Sequence, residues 1–340
     1  MNEQIKTDAL NSAHHLMVGG VDTLTLAKKY QTPLYVYDTG AIRAEIAAFK
    51  QVFEENHVDY QISYASKAFA TVAMYQLIAQ EHIHCDVVSG GELYTAQQAD
   101  FPMAAVSFHG NNKSLAELTM ALDAGVGTIV VDNFGELRQL TTLTTQRQQP
   151  TTIMLRIAPG ISAHTHDYIS TGQADSKFGF DLDSGQADQA IKAAQAAPYL
   201  KLVGIHCHIG SQIFEVNGFE MIVDKLVSEF ARWRRELDFY PQIMNVGGGF
   251  GVKYTAEDHP LQPTDFVDAI IKETRAQTAA QQVPMLEIWS EPGRSLVATA
   301  GMTLYTIGDE KDIPGIRKYL SVDGGMGDNI RPALYQAKYE

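Results

Sequence analysis

The chain has 340 residues, 45% of them hydrophobic and 19% charged, an ordinary globular composition that suits one large α/β domain with an appendage, or two domains. A formal net charge of −14 argues against nucleic acid or an anionic membrane surface as a partner, so any anionic ligand must be met by local arginines and backbone amides. The N-terminus lacks an apolar leader, no run approaches the roughly 18 apolar residues of a membrane span, and Cys85 and Cys207 form neither a disulfide framework nor a paired-thiol motif; a cytoplasmic, reducing location is expected.

In chain order, short apolar runs alternate with segments of helical period. The runs are QISYA (61–65), IHCDVV (83–88), AAVSFH (104–109), GTIVVD (127–132), TIMLRIA (152–158), LVGIHCHI (202–209), QIMNVG (242–247) and MLEIWS (285–290). Stretches such as ATVAMYQLIAQE, SLAELTMALDAG and GFEMIVDKLVSEFARWRREL between them read as helices, the first of them over Phe69–Ile78. Eight strands with intervening helices predict an α/β fold, a (β/α)8 TIM-like barrel over 37–295, with a doubly wound sheet as the alternative. Residues 1–36 precede the first unit. Residues 296–340 show β-type alternation with glycine turns and stop at Glu340 in mid-flow, which predicts the start of a second, apparently truncated domain.

Active sites of such barrels lie at the carboxyl ends of the strands, and the unusual residues of this sequence fall there. Lys67 closes the first strand. VSGGE (88–92) closes the second, FHGNNKS (108–114) the third and Arg156 with Pro159 and Gly160 the fifth. HIGSQ (208–212), NVGGGFG (245–251) and EPGR (291–294) close the sixth, seventh and eighth. A lone lysine could simply extend into solvent; at a strand mouth, burial would lower its pKa and activate it as a nucleophile. Gly247, Gly248 and Gly249 make a tight turn at least, and three glycines in succession also leave bare N–H groups suited to a phosphate. Arg294 adds a planar fork, and Ser211 a hydroxyl, beside that loop. His206 and His208 share one face of the sixth strand while Cys207 takes the other. A metal pair, a packed histidine and a ring stacked on an aromatic cofactor are the candidate roles, and AHTHDY (163–168) offers a second such pair. No aspartate follows the eighth strand to complete a metal set; Glu291 stands there instead, so no metal is expected. A strand-end lysine, a phosphate cradle, a flat imidazole and a lone carboxylate together describe a site for pyridoxal 5'-phosphate, with Lys67 forming the Schiff base and Glu291 keeping the ring nitrogen protonated.

With YASKAF, DVVSGGEL, FHGNNKS, ISTGQADSKFGF, HCHIGSQ, NVGGGFG, EPGR and VDGGMGDNIRPALY in this order, residues 20–340 resemble the diaminopimelate decarboxylases, pyridoxal-phosphate enzymes of the alanine-racemase-like fold type III. That resemblance implies a β-sandwich domain built from residues 1–36 and the C-terminal segment. It implies catalytic roles for Lys67, His208 and Glu291, with His208 stacking on the ring. It places Ser211, Gly247, Gly248, Gly249, Glu291, Pro292, Gly293 and Arg294 at cofactor-binding positions, and Arg294, Arg331 and Tyr335 at substrate-binding positions. The implied reaction is loss of carbon dioxide from the D-configured centre of meso-2,6-diaminopimelate to give L-lysine, in a homodimer with active sites at the interface. The family's cysteine proton donor lies in a later segment that has no counterpart here, so slow turnover of the 340-residue chain is expected. Rival expectations are an ornithine, arginine or carboxynorspermidine decarboxylase of the same fold and a non-catalytic homologue acting by protein contact.

Overall fold

A computed structural model describes residues 10–161 and 176–339. The AHTHDY stretch and most of ISTGQADSKFGF therefore lie outside the described residues. The chain divides into two compact units, one of Ile46–Gly251 and Pro260–Ser295, the other of Met1–Glu45, Val252–His259 and Leu296–Glu340.

The larger unit holds eight parallel strands: β1 (Tyr60–Ala65), β2 (His84–Val87), β3 (Val106–Phe108), β4 (Thr128–Val131), β5 (Thr151–Ala158), β6 (Leu200–His206), β7 (Ile243–Asn245) and β8 (Glu287–Ser290). Each pairs with its successor, and β8 pairs with β1, so the sheet closes into a barrel. Strands covered on both faces need apolar side chains on both, which is why they read as continuous runs. Val130, Met154, Val203, Ile243 and Trp289, from β4 to β8, form one buried cluster.

Helices follow the strands, and short polar side chains start several of them. Thr71, Ser89, Ser114 and Asn133 each accept a hydrogen bond from a first-turn backbone N–H, and Ser114 forms a capping box with Glu117. The helix Asn217–Glu236 buries Phe219, Ile222, Val223, Leu226, Val227, Phe230 and Trp233, the stripe expected at helical spacing. No helix of the described residues is long and apolar enough to cross a membrane.

Two boundaries differ from expectation. The helix predicted from Phe69 begins at Val72, because Phe69 is extended (φ −166°) and Thr71 caps the helix; Lys67 sits on a separate 3-10 turn, Ser66–Ala68. The run LVGIHCHI leaves the sheet at His206, where its neighbour β7 also ends; the Cys207 N–H to Asn245 carbonyl bond is the last rung before β7 turns through Gly247 at φ +69°.

In the smaller unit the strands are antiparallel: Met17–Val18 with Val21–Asp22, Leu34–Tyr37 with Gly301–Leu304, and Ile307–Ile313 with Arg317–Val322. A short helix, Arg331–Tyr335, follows.

Lys113, in the segment after β3, is fully engaged. Its ammonium donates to the Gly110 and Val130 carbonyls and to Glu136 Oε1, each at 2.8 Å, with side-chain exposures of 1% for Lys113 and 2% for Glu136. Removing one partner of such a pair strands the other charge. Lys113→Met should lower the unfolding free energy by about 3–5 kcal/mol, and the Lys113→Met/Glu136→Met double variant should lose less than the sum of the singles, as read by urea denaturation.

On the barrel exterior, Asp188 accepts two bonds from Arg232 at 2.7 Å and one from the Trp233 indole at 2.6 Å. The Arg232 hydrogen bonds hold its carboxyl below the usual aspartate value, against the opposing effect of burial. A carboxyl depressed on folding stabilises above its unfolded pKa, near about 4, and the contribution is lost as the pH falls through the depressed value. Asp188→Asn should therefore lower the thermal midpoint at neutral pH, by an amount that shrinks steadily below about pH 4.

Candidate active site

The carboxyl ends of the strands bring together groups that are far apart in the chain. At the centre is Glu291, directly after β8 and 7% exposed. Its Oε1 accepts from Asn245 Nδ2 at 2.7 Å, and its Oε2 lies 3.1 Å from His206 Nε2. His109 Nε2, from the segment after β3, approaches Oε1 to 3.2 Å without the alignment of a hydrogen bond. Burial pushes the Glu291 carboxyl up, but the nearby His109 and His206 and the hydrogen bonds from His206 and Asn245 outweigh it, holding the group well below the usual carboxylate range. Burial pushes both imidazoles the other way, below the ordinary histidine value. The two rings meet edge to face, 4.9 Å between centroids.

The glycine loop after β7 is packed against this carboxylate. A Cβ on Gly248 would stand 2.0 Å from the Glu291 carbonyl oxygen, and one on Gly249 2.2 Å from the Gly210 carbonyl oxygen. Close approach of three backbones therefore requires glycine here. The N–H groups expected to be bare are in part occupied. Gly247 N–H donates to Asn245 Oδ1 at 2.9 Å, and Gly248 N–H to His208 Nδ1 at 3.3 Å. A loop this tight finds local acceptors for its amides. Ser211 and Arg294 are brought together as read, with Arg294 Nη2 3.4 Å from Ser211 Oγ. Pro292 and Gly293 are buried beneath the Lys67 turn, where the Pro292 carbonyl accepts from Ala65 N–H and a Cβ on Gly293 would meet the Ala65 side chain at 2.9 Å.

Lys67 is exposed, which corrects the expectation that burial activates it. Its turn leaves the barrel wall, so the side chain starts outside the packed layer. Its charge nonetheless reaches the chamber: after burial, it is the main influence lowering His208, and it opposes the upward shift of Asp86. His206 and His208 do not act as a pair on one strand face. His206 turns to Glu291, while His208 lies beyond the strand against the glycine loop. Burial pushes the Cys207 thiol up to about 12 and that of Cys85 well above its ordinary value, so neither free thiol is an available thiolate. Arg331 and Tyr335 belong to the smaller unit, the guanidinium 5.4 Å over the Tyr335 ring.

Sequence reasoning gave no role to His109, Asn245 or Asp86. Asp86 is 2% exposed and accepts from Ser66 N–H at 3.1 Å. The available signal was positional: each stands in or just after the last positions of a strand, and an aspartate inside the apolar run IHCDVV is costly without a task. The donor atoms of His109, His206 and Glu291 also lie within 4.8 Å of one another, a spacing that a divalent cation would accept.

Residues 39–298 match the model of the pyridoxal-dependent decarboxylase family, pyridoxal binding domain. The diaminopimelate decarboxylase of Bacillus methanolicus is 54% identical over 334 residues, covering 98% of this chain and 77% of the relative. That of Bacillus subtilis is 52% identical, covering 98% and 76%. Among solved structures, diaminopimelate decarboxylase from M. jannaschii superposes with a TM-score of 0.88 at 36% identity, covering 98% of this chain and 76% of the other. The Helicobacter pylori enzyme complexed with L-lysine gives 0.84 at 30%, covering 94% and 77%. This chain belongs to the pyridoxal-dependent decarboxylases and, within them, to the diaminopimelate decarboxylase family.

Proposed function

We propose that this chain, with pyridoxal 5'-phosphate as cofactor, removes carbon dioxide from the D-configured centre of meso-2,6-diaminopimelate to give L-lysine. The observation that carries the reading is the buried Glu291 carboxylate, reached by Asn245 and His206 at the strand ends of a barrel whose first strand is followed by Lys67. The relative complexed with L-lysine agrees with it.

The residues fit the cofactor. Buried polar atoms of His109, His206 and Ser66 lack a well-formed hydrogen bond, and a glycine loop lies between Glu291 and the Ser211–Arg294 pair. Pyridoxal phosphate supplies an electron sink when bound. Lys67 would hold its aldehyde carbon, Glu291 its ring nitrogen, His208 the ring face, and Ser211, Gly247, Gly248, Gly249 and Arg294 its phosphate, with Pro292 and Gly293 shaping the loop between. An anionic Glu291 keeps a proton on the ring nitrogen and so favours withdrawal of electrons from the reacting carbon. Arg294, Arg331 and Tyr335 are assigned to the substrate, whose remote ammonium and carboxylate demand charged partners in an acidic protein. We assign the barrel to 37–295 and a β domain to 1–36 with 296–340, in a cytoplasmic homodimer.

Lysine formed from meso-diaminopimelate in the presence of pyridoxal phosphate is the direct assay. A divalent metal dependence without pyridoxal phosphate dependence would instead favour the cation at His109, His206 and Glu291. Borohydride reduction and peptide mapping should place the pyridoxyl group on Lys67; its appearance on Lys113 or Lys177 would sink the assignment. Glu291→Gln should keep the cofactor bound to Lys67 and lower kcat by about 10²–10³, whereas unchanged turnover would give the ring nitrogen to another group.

A further inference from the structure

We propose that His109 and His206 are positioning residues which, with Asn245, clamp the Glu291 carboxylate in one orientation so that it meets the cofactor's ring nitrogen as a fixed anion. The inference deepens the reading of Glu291 given above and rests on it.

The geometry is a convergence of three side chains from three parts of the wall on one carboxylate. Asn245, the last residue of β7, holds Oε1 at 2.7 Å and the loop amide of Gly247 at 2.9 Å, so its own orientation is locked. His206, the last residue of β6, sits 3.1 Å from Oε2. His109 stands 3.2 Å from Oε1 and packs edge to face on the His206 ring. All three are buried, at 0%, 1% and 5% exposure, so water does not compete for the carboxylate. A carboxylate reached from both oxygens has little freedom to rotate, and a buried one deprived of donors turns or takes up a proton. The clamp opposes both. Neither histidine need touch the substrate: His206 and His109 act through Glu291.

The test is a double-mutant cycle on the full chain, freed of cofactor and titrated with pyridoxal 5'-phosphate. The readings are Kd and the visible band of the bound cofactor. His206→Phe should weaken binding about tenfold, the scale of one charged hydrogen bond, and should shift the band; His109→Phe, which removes a close approach and an edge-to-face contact instead of a hydrogen bond, should do both to a smaller extent. His206→Gln, which keeps an N–H donor, should restore most of both. In a Glu291→Gln background, His206→Phe should add little, because its target is gone. His206→Asn, too short to reach Oε2, serves in the same cycle if the phenylalanine variant does not fold. Losses that multiply in the double variant while Glu291→Gln itself weakens binding would overturn the clamp and leave the ring-nitrogen role standing. A Glu291→Gln protein with wild-type Kd and band would overturn both.

Discussion

A carboxylate stripped of water is the constraint on which this site turns. The penalty for burying an ion reaches several kcal/mol unless its hydrogen-bonding positions are filled, and Glu291 lies within a wall of apolar strands. The barrel answers with its register. His206 pairs with Asn245 across β6 and β7, and Asn245 pairs with Trp289 of β8, two residues before the carboxylate. Polar side chains at the ends of neighbouring strands are thereby delivered at one level. Eight-fold closure makes such convergence possible, because an open sheet would present the ends of β3 and β8 on widely separated strands.

The glycine loop follows from the same constraint. The Glu291 N–H donates to the Gly247 carbonyl at 2.8 Å, and the Glu291 carbonyl leaves no room for a Cβ on Gly248. Asn245 joins the two through opposite ends of its amide. The loop assigned to the phosphate and the carboxylate assigned to the ring nitrogen are thus one mechanical piece. A change that loosens the loop will also release the carboxylate, and the glycines serve this apposition whatever they do for a phosphate.

The barrel was legible because strands buried on both faces show as runs of valine, isoleucine, leucine and methionine, and all eight runs proved to be strands. Their ends were less legible. Nothing in LVGIHCHI marks His206 as its last paired residue, since that is decided by where the partner strand turns. Site residues with unusual chemistry, Lys67 and Glu291, were visible as a cation and an anion at strand ends. Residues whose value lies in what they touch, such as Asn245 holding two neighbours, were not. The burial assigned to Lys67 was wrong for a related reason: the path of the chain after a strand sets the exposure of its last side chains, and a 3-10 turn follows here in place of a helix.

The remaining question is how two carboxyl groups share one chamber without destabilising it. Asp86 and Glu291 repel each other when both are ionised, and the structure treats them oppositely. Burial and the Glu291 charge push Asp86 well above the usual carboxylate range, although Lys67 and the Ser66 N–H oppose this. Glu291, by contrast, has Asn245 and His206 at its oxygens and stays low. Donor supply separates the two: Asp86 accepts from the Ser66 N–H, whereas Glu291 has side chains from two strands at its oxygens and a third close by. Environments that drive two acids apart in this way assign them different tasks. The carboxyl held low can pair with a positive ring nitrogen, and the one pushed up gives up its proton less readily, which eases the repulsion between the two. An overall charge of −14 is compatible with an anionic cofactor because Lys67 and Arg156 act on His208 at the strand ends and Arg294 stands beside Ser211.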